Sequence, residues 1–449
     1  MRATVIGAGL AGSEAAFQLA TRGVAVTLWE MRPVKMTPAH RTGRFAELVC
    51  SNSLRSQSLE NAAGLLKEEM RRAGSLVMAA AARASVPAGS ALAVDRALFS
   101  THIEETLAAL PRVEIVRGEV AELPPPAEGE AVVLATGPLT SDALAESVRS
   151  VVGEEHLAFF DAIAPIVSAE SIDRSIVFKQ SRHGEPADGD YWNCPMDRDG
   201  YRAFWEALVA AEKAPLHDFE KDIPFFEGCL PVEEMARRGE DTLRFGPLRP
   251  IGLTDPRTGR RPWAVVQLRQ DDIAGDHLNL VGFQTNLTFP EQDRVFRTIP
   301  GLANAELVRH GTIHRNSYLN APRLLTATFQ LRARPRTFVA GQLSGVEGYI
   351  ESAASGMMAG IHAATVLAGA EPVAPPRETV LGSLAHYLAN ADARHFVPSK
   401  AAFGLMPDLG TGVRGKGERR RAQAERALAA ISPWLAIIGA ERARAVLAA

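Results

Sequence analysis

The stretch Ala3 to Glu30 constrains this chain more than any other. A short apolar run, Thr4-Val5-Ile6, leads into Gly7-Ala8-Gly9-Leu10-Ala11-Gly12. A small-residue-rich segment, Ser13 to Thr21, follows; Gly23 stops it, and Val24 to Trp29 ends at Glu30. The order is strand, glycine-rich turn, helix, turn, strand, acid. Gly7 allows the tight turn, Gly9 lets the backbone approach a pyrophosphate, and Gly12 lets the helix pack on the strand. The helix N-terminus offers N–H groups and a favourable dipole to phosphates. Glu30 lies 18 residues beyond Gly12, placed to accept hydrogen bonds from a ribose hydroxyl. The motif alone serves FAD and NAD(P) equally. Its position at the start of the chain favours FAD.

A chain of 449 residues exceeds one ordinary core, so two or three domains are expected. A net charge of −3 gives no global attraction to nucleic acid, so a polyanionic partner would need a local basic face. The three cysteines, Cys50, Cys194 and Cys229, are too few and too far apart for a disulfide scaffold, which points to reduced thiols in the cytoplasm. No leader-like segment opens the chain, and no apolar run approaches the ~20 residues of a membrane-spanning helix. No residues stand out as metal ligands.

After Glu30 the chain is loop-like, and Phe45 to Ser56 reads as a polar loop around Cys50 near the cofactor. Leu65 to Ala82 is expected as one helix with a single buried side, and Ala97 to Leu110 as another. Ala131 to Pro138 is a buried strand with a Gly-Pro stop. From about Phe159 the alternation of strand and long helix is lost. Thr337 to Gly341 is again a strand ending in glycine, followed by a glycine-rich loop and a small-residue helix, Ser352 to Leu367. Such a unit closes over the ribityl chain and flavin ring in many flavoproteins, which puts Gly341 and Gly348 beside the cofactor. The tail from Leu381 looks helical and carries a basic stretch at 414–421. The fold class expected is α/β: a Rossmann-like FAD-binding domain, residues 1–181 and 306–449, interrupted by a smaller mixed α/β insertion domain, 182–305.

Several stretches together resemble one family. They are FAELVCSNSLRS at 45–56, FFDAIAPIV at 159–167, YWNCPM at 191–196 and FFEGCLPVEEMA at 225–236. Further along come VGFQTNLTFPEQDRVFRTIPGLANAELVR at 281–309, GTIHRNSYLNAP at 311–322 and AGQLSGVEGYIESAASG at 340–356. The chain resembles the FAD- and folate-dependent tRNA uracil-5-methyltransferases, often called TrmFO, over nearly its whole length. The glycine-rich loops are shared with other flavoproteins, including the larger GidA-type tRNA-modifying enzymes. The resemblance implies that methylenetetrahydrofolate supplies one carbon, reduced FAD supplies electrons, NADPH or NADH re-reduces the flavin, and 5-methyluridine forms in the T-arm of tRNA. No obligate protein partner is evident.

That chemistry needs a thiolate. C5 of uracil is a poor nucleophile until a thiolate adds at C6. The resemblance points to Cys229, in Glu227-Gly228-Cys229-Leu230-Pro231 before a short helix, as that nucleophile. It places Cys50 at the flavin, with adduct shielding, methylene handling or proton transfer all open to it. Cys194 reads as structural. His314 and Tyr349 are candidates to close a stack of pterin on flavin, and Arg315 or Arg323 to meet the folate tail. Three basic groups could meet RNA phosphates: Arg41 with Arg44, Arg323 with Arg332, Arg334 and Arg336, and 414–421. Three alternatives stand beside this one: a GidA-like wobble-uridine enzyme, a thiol oxidoreductase, for which the usual CxxC pair is missing, and a flavin-stabilised RNA chaperone.

Overall fold

The computed structural model describes residues 1–153, 157–162, 164–182, 189–215, 230–410 and 415–448; of 157–162 and of 314–315 it describes the backbone only. The first sheet has six strands in the order Gln330–Leu331, Arg334–Val339, Glu130–Leu134, Arg2–Ile6, Ala25–Glu30 and Val113–Arg117. All neighbours pair in parallel except the Gln330–Leu331 edge, which is antiparallel. Parallel strands must be covered on both faces, and Ala3, Val5, Val26, Leu28, Val132 and Val133 are all buried. Four of these strands come from residues 2–134 and two from 330–339, and Arg334–Val339 pairs in parallel with Glu130–Leu134 across that long separation.

Helix Leu10–Thr21 crosses helix Tyr349–Leu367 at backbone contact. A Cβ on Gly356 would lie 2.0 Å from the Ala11 carbonyl oxygen, and one on Gly360 would lie 2.6 Å from that of Ala15. The run of small residues in both helices is therefore a packing requirement. Glu14 is buried beneath this crossing. Its carboxylate accepts from Ser75 Oγ at 2.7 Å and from the N–H groups of Leu76 and Val77 at 3.2 and 2.9 Å, which ties the first helix to the start of a later one.

The helix expected over 65–82 is two helices, Ala62–Ala73 and Leu76–Arg83. Gly74, with φ of +81°, ends the first in a left-handed cap, and Ser75 caps the second through Met78 N–H. The tail is also less uniform than expected. Helices Val380–Asn390, Lys416–Ile437 and Ala440–Ala448 are helical, but 391–410 is mostly irregular, and Pro398 and Pro407 lack the N–H that a helix needs.

The second sheet is antiparallel, in the order Phe178–Lys179, Tyr191–Met196, Ala264–Gln270, His277–Leu280, Ile166–Ser168 and Leu307–Arg309. It has its own core, with Tyr201, Phe204 and Leu208 of helix Arg198–Ala210 packed on one face. Its edge strands reach outside the 182–305 span expected for the insertion. Ile166–Ser168 completes the ladder with His277–Leu280, which short runs of this kind do not announce in sequence. The two chain crossings between the sheets, Leu157–Ala162 and Ile313–Tyr318, pair antiparallel with each other as a ribbon.

Candidate functional site

The turn after the first strand shows why its glycines are needed. Gly7 has φ of +97°, and a Cβ there would lie 2.6 Å from the Ala135 carbonyl oxygen. A Cβ on Gly12 would fall 1.7 Å from the Gly7 carbonyl oxygen. Gly9 differs: a Cβ there meets nothing within 4 Å, and the residue lines a cleft of about 430 Å³. Space above a helix N-terminus is what a pyrophosphate requires.

Glu30 also lines this cleft and is buried. Its Oε2 accepts from Ala8 N–H at 3.0 Å, which locks the glycine turn. Arg32, absent from the sequence-based reading, engages the same carboxylate through Nε at 2.9 Å, Nη2 at 3.1 Å and its backbone N–H at 3.0 Å. Burial opposes ionisation of Glu30, but the hydrogen bonds and charge of Arg32 outweigh it and hold the carboxyl below its usual range.

From the second glycine-rich segment, Gly341 (φ +74°) and Gly348 (φ +114°) line the cleft, and Gly341 N–H donates to Ser355 Oγ at 2.8 Å. Glu351, buried in the first turn of the following helix, accepts from Arg55 and from Ala401 N–H at 2.7 Å.

Tyr349 meets Cys50 on the lining of the cleft. The phenol oxygen accepts the N–H groups of Cys50 and Ser51 at 2.7 and 3.2 Å, and stands 2.9 Å from Cys50 Sγ. With both lone pairs occupied by N–H donors, the remaining hydrogen of Tyr349 points to sulfur, so Sγ is the acceptor. Burial, together with the neighbouring Cys50, pushes the phenol well above its usual range, so it stays protonated. Three arginines fix the loop that carries Cys50. Arg96 donates to Leu48 O at 2.8 Å, Arg309 to Val49 O at 2.5 Å, and Arg269 to Ser51 Oγ at 2.7 Å and Asn52 Oδ1 at 3.1 Å. These arginines come from segments that sequence spacing does not connect with Cys50. Only their convergence on one loop reveals them.

The other expected residues fall in different places. Cys194 is fully buried in the second core, where desolvation pushes its thiol up. Cys229 lies outside the described residues. The helix after it is Val232–Arg237, and Val232 N–H donates at 2.7 Å to the carbonyl of Gln284, a residue that lines the cleft. His314 and Arg315 are placed in backbone only, on strand Ile313–Tyr318. Arg323 sits on the short Ala321–Leu324 segment and is not among the residues lining the cleft. Within the basic groups, Arg419 pairs with Asp408 and Arg421 with Glu60, while Arg44 donates to Thr101 and Arg336 to Ala127 O. The described residues include no helix long and apolar enough to cross a membrane.

A parallel sheet with a phosphate-type glycine turn, a second glycine-rich helix start on the same cleft, and an inserted antiparallel unit forming the far wall define a two-unit protein of the dinucleotide-binding flavoprotein class. A family model described as glucose inhibited division protein A matches residues 2–371. The methylenetetrahydrofolate–tRNA-(uracil-5-)-methyltransferase TrmFO of Pelotomaculum thermopropionicum is 59% identical over 95% of this chain and 97% of its own. That of Geobacter sulfurreducens is 58% identical over 97% and 99%. Among solved structures, GidA of Aquifex aeolicus in one crystal form has a TM-score of 0.69 at 16% identity, covering 99% of this chain and 75% of that one. The chain belongs to the TrmFO family, within the broader GidA family.

Proposed function

We propose that this protein transfers a one-carbon unit from methylenetetrahydrofolate to C5 of the T-loop uridine of tRNA, giving 5-methyluridine, with FAD as its resident cofactor and NADPH or NADH as the reductant. The observation that carries this is identity of 58–59% across nearly the full length of relatives bearing that activity in their names. The cleft fits the cofactor: Gly9 leaves open space at a helix N-terminus, and Gly7, Gly12, Gly341 and Gly348 sit where a side chain would clash or the backbone runs left-handed. When bound, FAD supplies the electrons and the folate the carbon.

The chain's own residues do the rest. Cys229 adds to C6 of uracil, and the electron pair of the C5–C6 double bond makes C5 nucleophilic. After the new carbon–carbon bond forms, a base must take the C5 proton so that the C6–sulfur bond can break. Cys50 takes that proton on this reading; its Sγ, 2.9 Å from the Tyr349 hydroxyl, supports the assignment. Glu30 keeps the phosphate turn in shape, and His314 with Tyr349 closes the stack on the pterin. RNA reaches the site with its uridine turned out of the folded T-loop.

The test uses the purified holoprotein with NADPH, T-loop minihelix RNA and methylenetetrahydrofolate labelled at the methylene carbon, with labelled S-adenosylmethionine in a parallel reaction. Label is expected in 5-methyluridine from folate only, and is lost in Cys229→Ala. Flavin-dependent NADPH oxidation with no label in RNA from either donor would sink the proposal.

A further inference from the structure

The part of the cleft lined by the second sheet holds a polar pair with an open valence. Arg269 and Asn279 stand directly across from each other on strands Ala264–Gln270 and His277–Leu280. Both are buried, at 7% and 3% exposure, and both line the cleft. Asn279 Oδ1 faces Arg269 Nη2 at 3.5 Å. A guanidinium presents only donors, so it fixes the amide orientation: oxygen towards arginine, nitrogen away. The nitrogen, Nδ2, is buried and has no partner among the described residues. Buried donors are paired in native structures, so this one awaits an acceptor, and the neighbouring guanidinium favours an acceptor that bears negative charge.

We propose that Asn279 and Arg269 bind O4 of the target uracil and stabilise the enolate formed there. This rests on the function proposed above. When Cys229 sulfur bonds to C6, the double-bond pair moves towards C5 and negative charge collects on O4. It returns through C5 when the bond to the one-carbon electrophile forms, and the later loss of the C5 proton expels the thiolate. A fixed N–H donor beside a cation, on a wall built before substrate arrives, is the arrangement that lowers the energy of such a charge. The pair belongs to the insertion, whereas the glycine-rich loops belong to the first sheet. The insertion thus supplies the half of the site that reads the base. Asn279 is a catalytic residue on this account, and Ser51 and Asn52 position Arg269 through their contacts with its guanidinium.

The experiment compares wild type with Asn279→Leu, which removes the donor at similar volume, and Asn279→Asp, which replaces it with a charged acceptor that Arg269 can still hold. Three quantities are measured on holoprotein: bound FAD per chain, the Kd for minihelix RNA, and the rate of covalent adduct formation with a 5-fluorouridine minihelix in the presence of NADPH and methylenetetrahydrofolate. In both variants FAD content is expected to stay unchanged and Kd to move by less than about threefold, while the adduct rate falls about 100-fold, the loss typical of one oxyanion donor. The Asp variant should be the slower. Adduct rates within about threefold of wild type, with FAD retained, would overturn the proposal. So would loss of FAD alone, which would assign the donor to the flavin. Absence of an adduct in wild type itself removes the addition step and, with it, the functional reading on which this rests.

Discussion

Tyr349→Phe isolates the contact between Tyr349 and Cys50 on the lining of the cleft. The ring remains, so packing against its neighbours is preserved, but one oxygen that serves three partners is removed. Two backbone N–H groups, on Cys50 and Ser51, lose their acceptor, and Cys50 Sγ loses its donor. In a half-buried site water replaces part of this, so the variant should lose about 2 kcal/mol of stability. The donor to sulfur favours the charged thiolate by about 1.4 kcal/mol, so its loss should slow alkylation of Cys50 at pH 7 by about tenfold. The assay is the rate of iodoacetamide labelling of the peptide carrying Cys50, in a Cys229→Ser background. Cys194 is fully buried with its thiol pushed up, and serves as the unreactive control. A second set at pH 10 separates ionisation from access, because there the rates of the two proteins should converge. Equal rates at pH 7, or a tenfold difference that persists at pH 10, would refute the argument that the Tyr349 hydrogen is directed at sulfur.

Three further outcomes follow from the same geometry. Gly9→Ala should deplete bound FAD but leave the melting temperature of the flavin-stripped protein unchanged, because its Cβ enters open space in the cleft, whereas Gly12→Ala should lower both through its clash with the Gly7 carbonyl; flavin absorbance per chain and melts of the stripped protein distinguish them. Glu69 is fully buried, accepting the N–H groups of Val380 and Leu381 at 2.8 and 2.9 Å, and desolvation raises its carboxyl from 4.5 to about 7. The unfolded chain releases that proton first, so the associated stability is full below pH 4.5 and is lost as pH rises through 7; relative to Glu69→Gln, wild type should lose up to about 3 kcal/mol between pH 4.5 and 8 in urea titrations. Lys67, whose amine donates to Leu54 O at 2.7 Å, is lowered by burial from 10.5 to about 7, so the folded chain releases its proton first. Relative to Lys67→Met, wild type should therefore gain about 2 kcal/mol between pH 7 and pH 9.

What the sequence displayed and what it hid divide along a physical line. The glycine turn, Glu30, the strand before Gly341 and the small-residue helix are local: each is a run whose spacing states its own backbone geometry. Even there, the apolar period runs across a cap. The helix expected across 65–82 is broken at Gly74-Ser75, a pair whose left-handed stop and side-chain cap are legible once the apolar period is not allowed to run over them. The short strands Ile166–Ser168 and Leu307–Arg309 are not legible in sequence, because three residues in length carry no period and are strands only by virtue of the ladder beside them.

The site shows the same division more sharply. Cys50 and Tyr349 lie 299 positions apart, yet they touch because the Tyr349–Leu367 helix begins beside the Phe45–Ser56 loop in the folded chain. Arg96, Arg269 and Arg309 are unremarkable as isolated residues in sequence; their common purpose is visible only as three donors closing on residues 48–52. Two of the three come from the second sheet. If the insertion were merely a cap over the cofactor, its inner strands would present apolar side chains to the cleft, as its other face presents Cys194, Val266 and Leu268 to its own core. Instead Arg269 and Asn279 line the cleft with buried polar groups; Ser51 and Asn52 satisfy the guanidinium, while Asn279 Nδ2 has no partner among the described residues. On the function and the donor pair proposed above, the two sheets supply different walls: glycine and helix ends suited to phosphates from the first, and fixed side-chain donors suited to a base from the second.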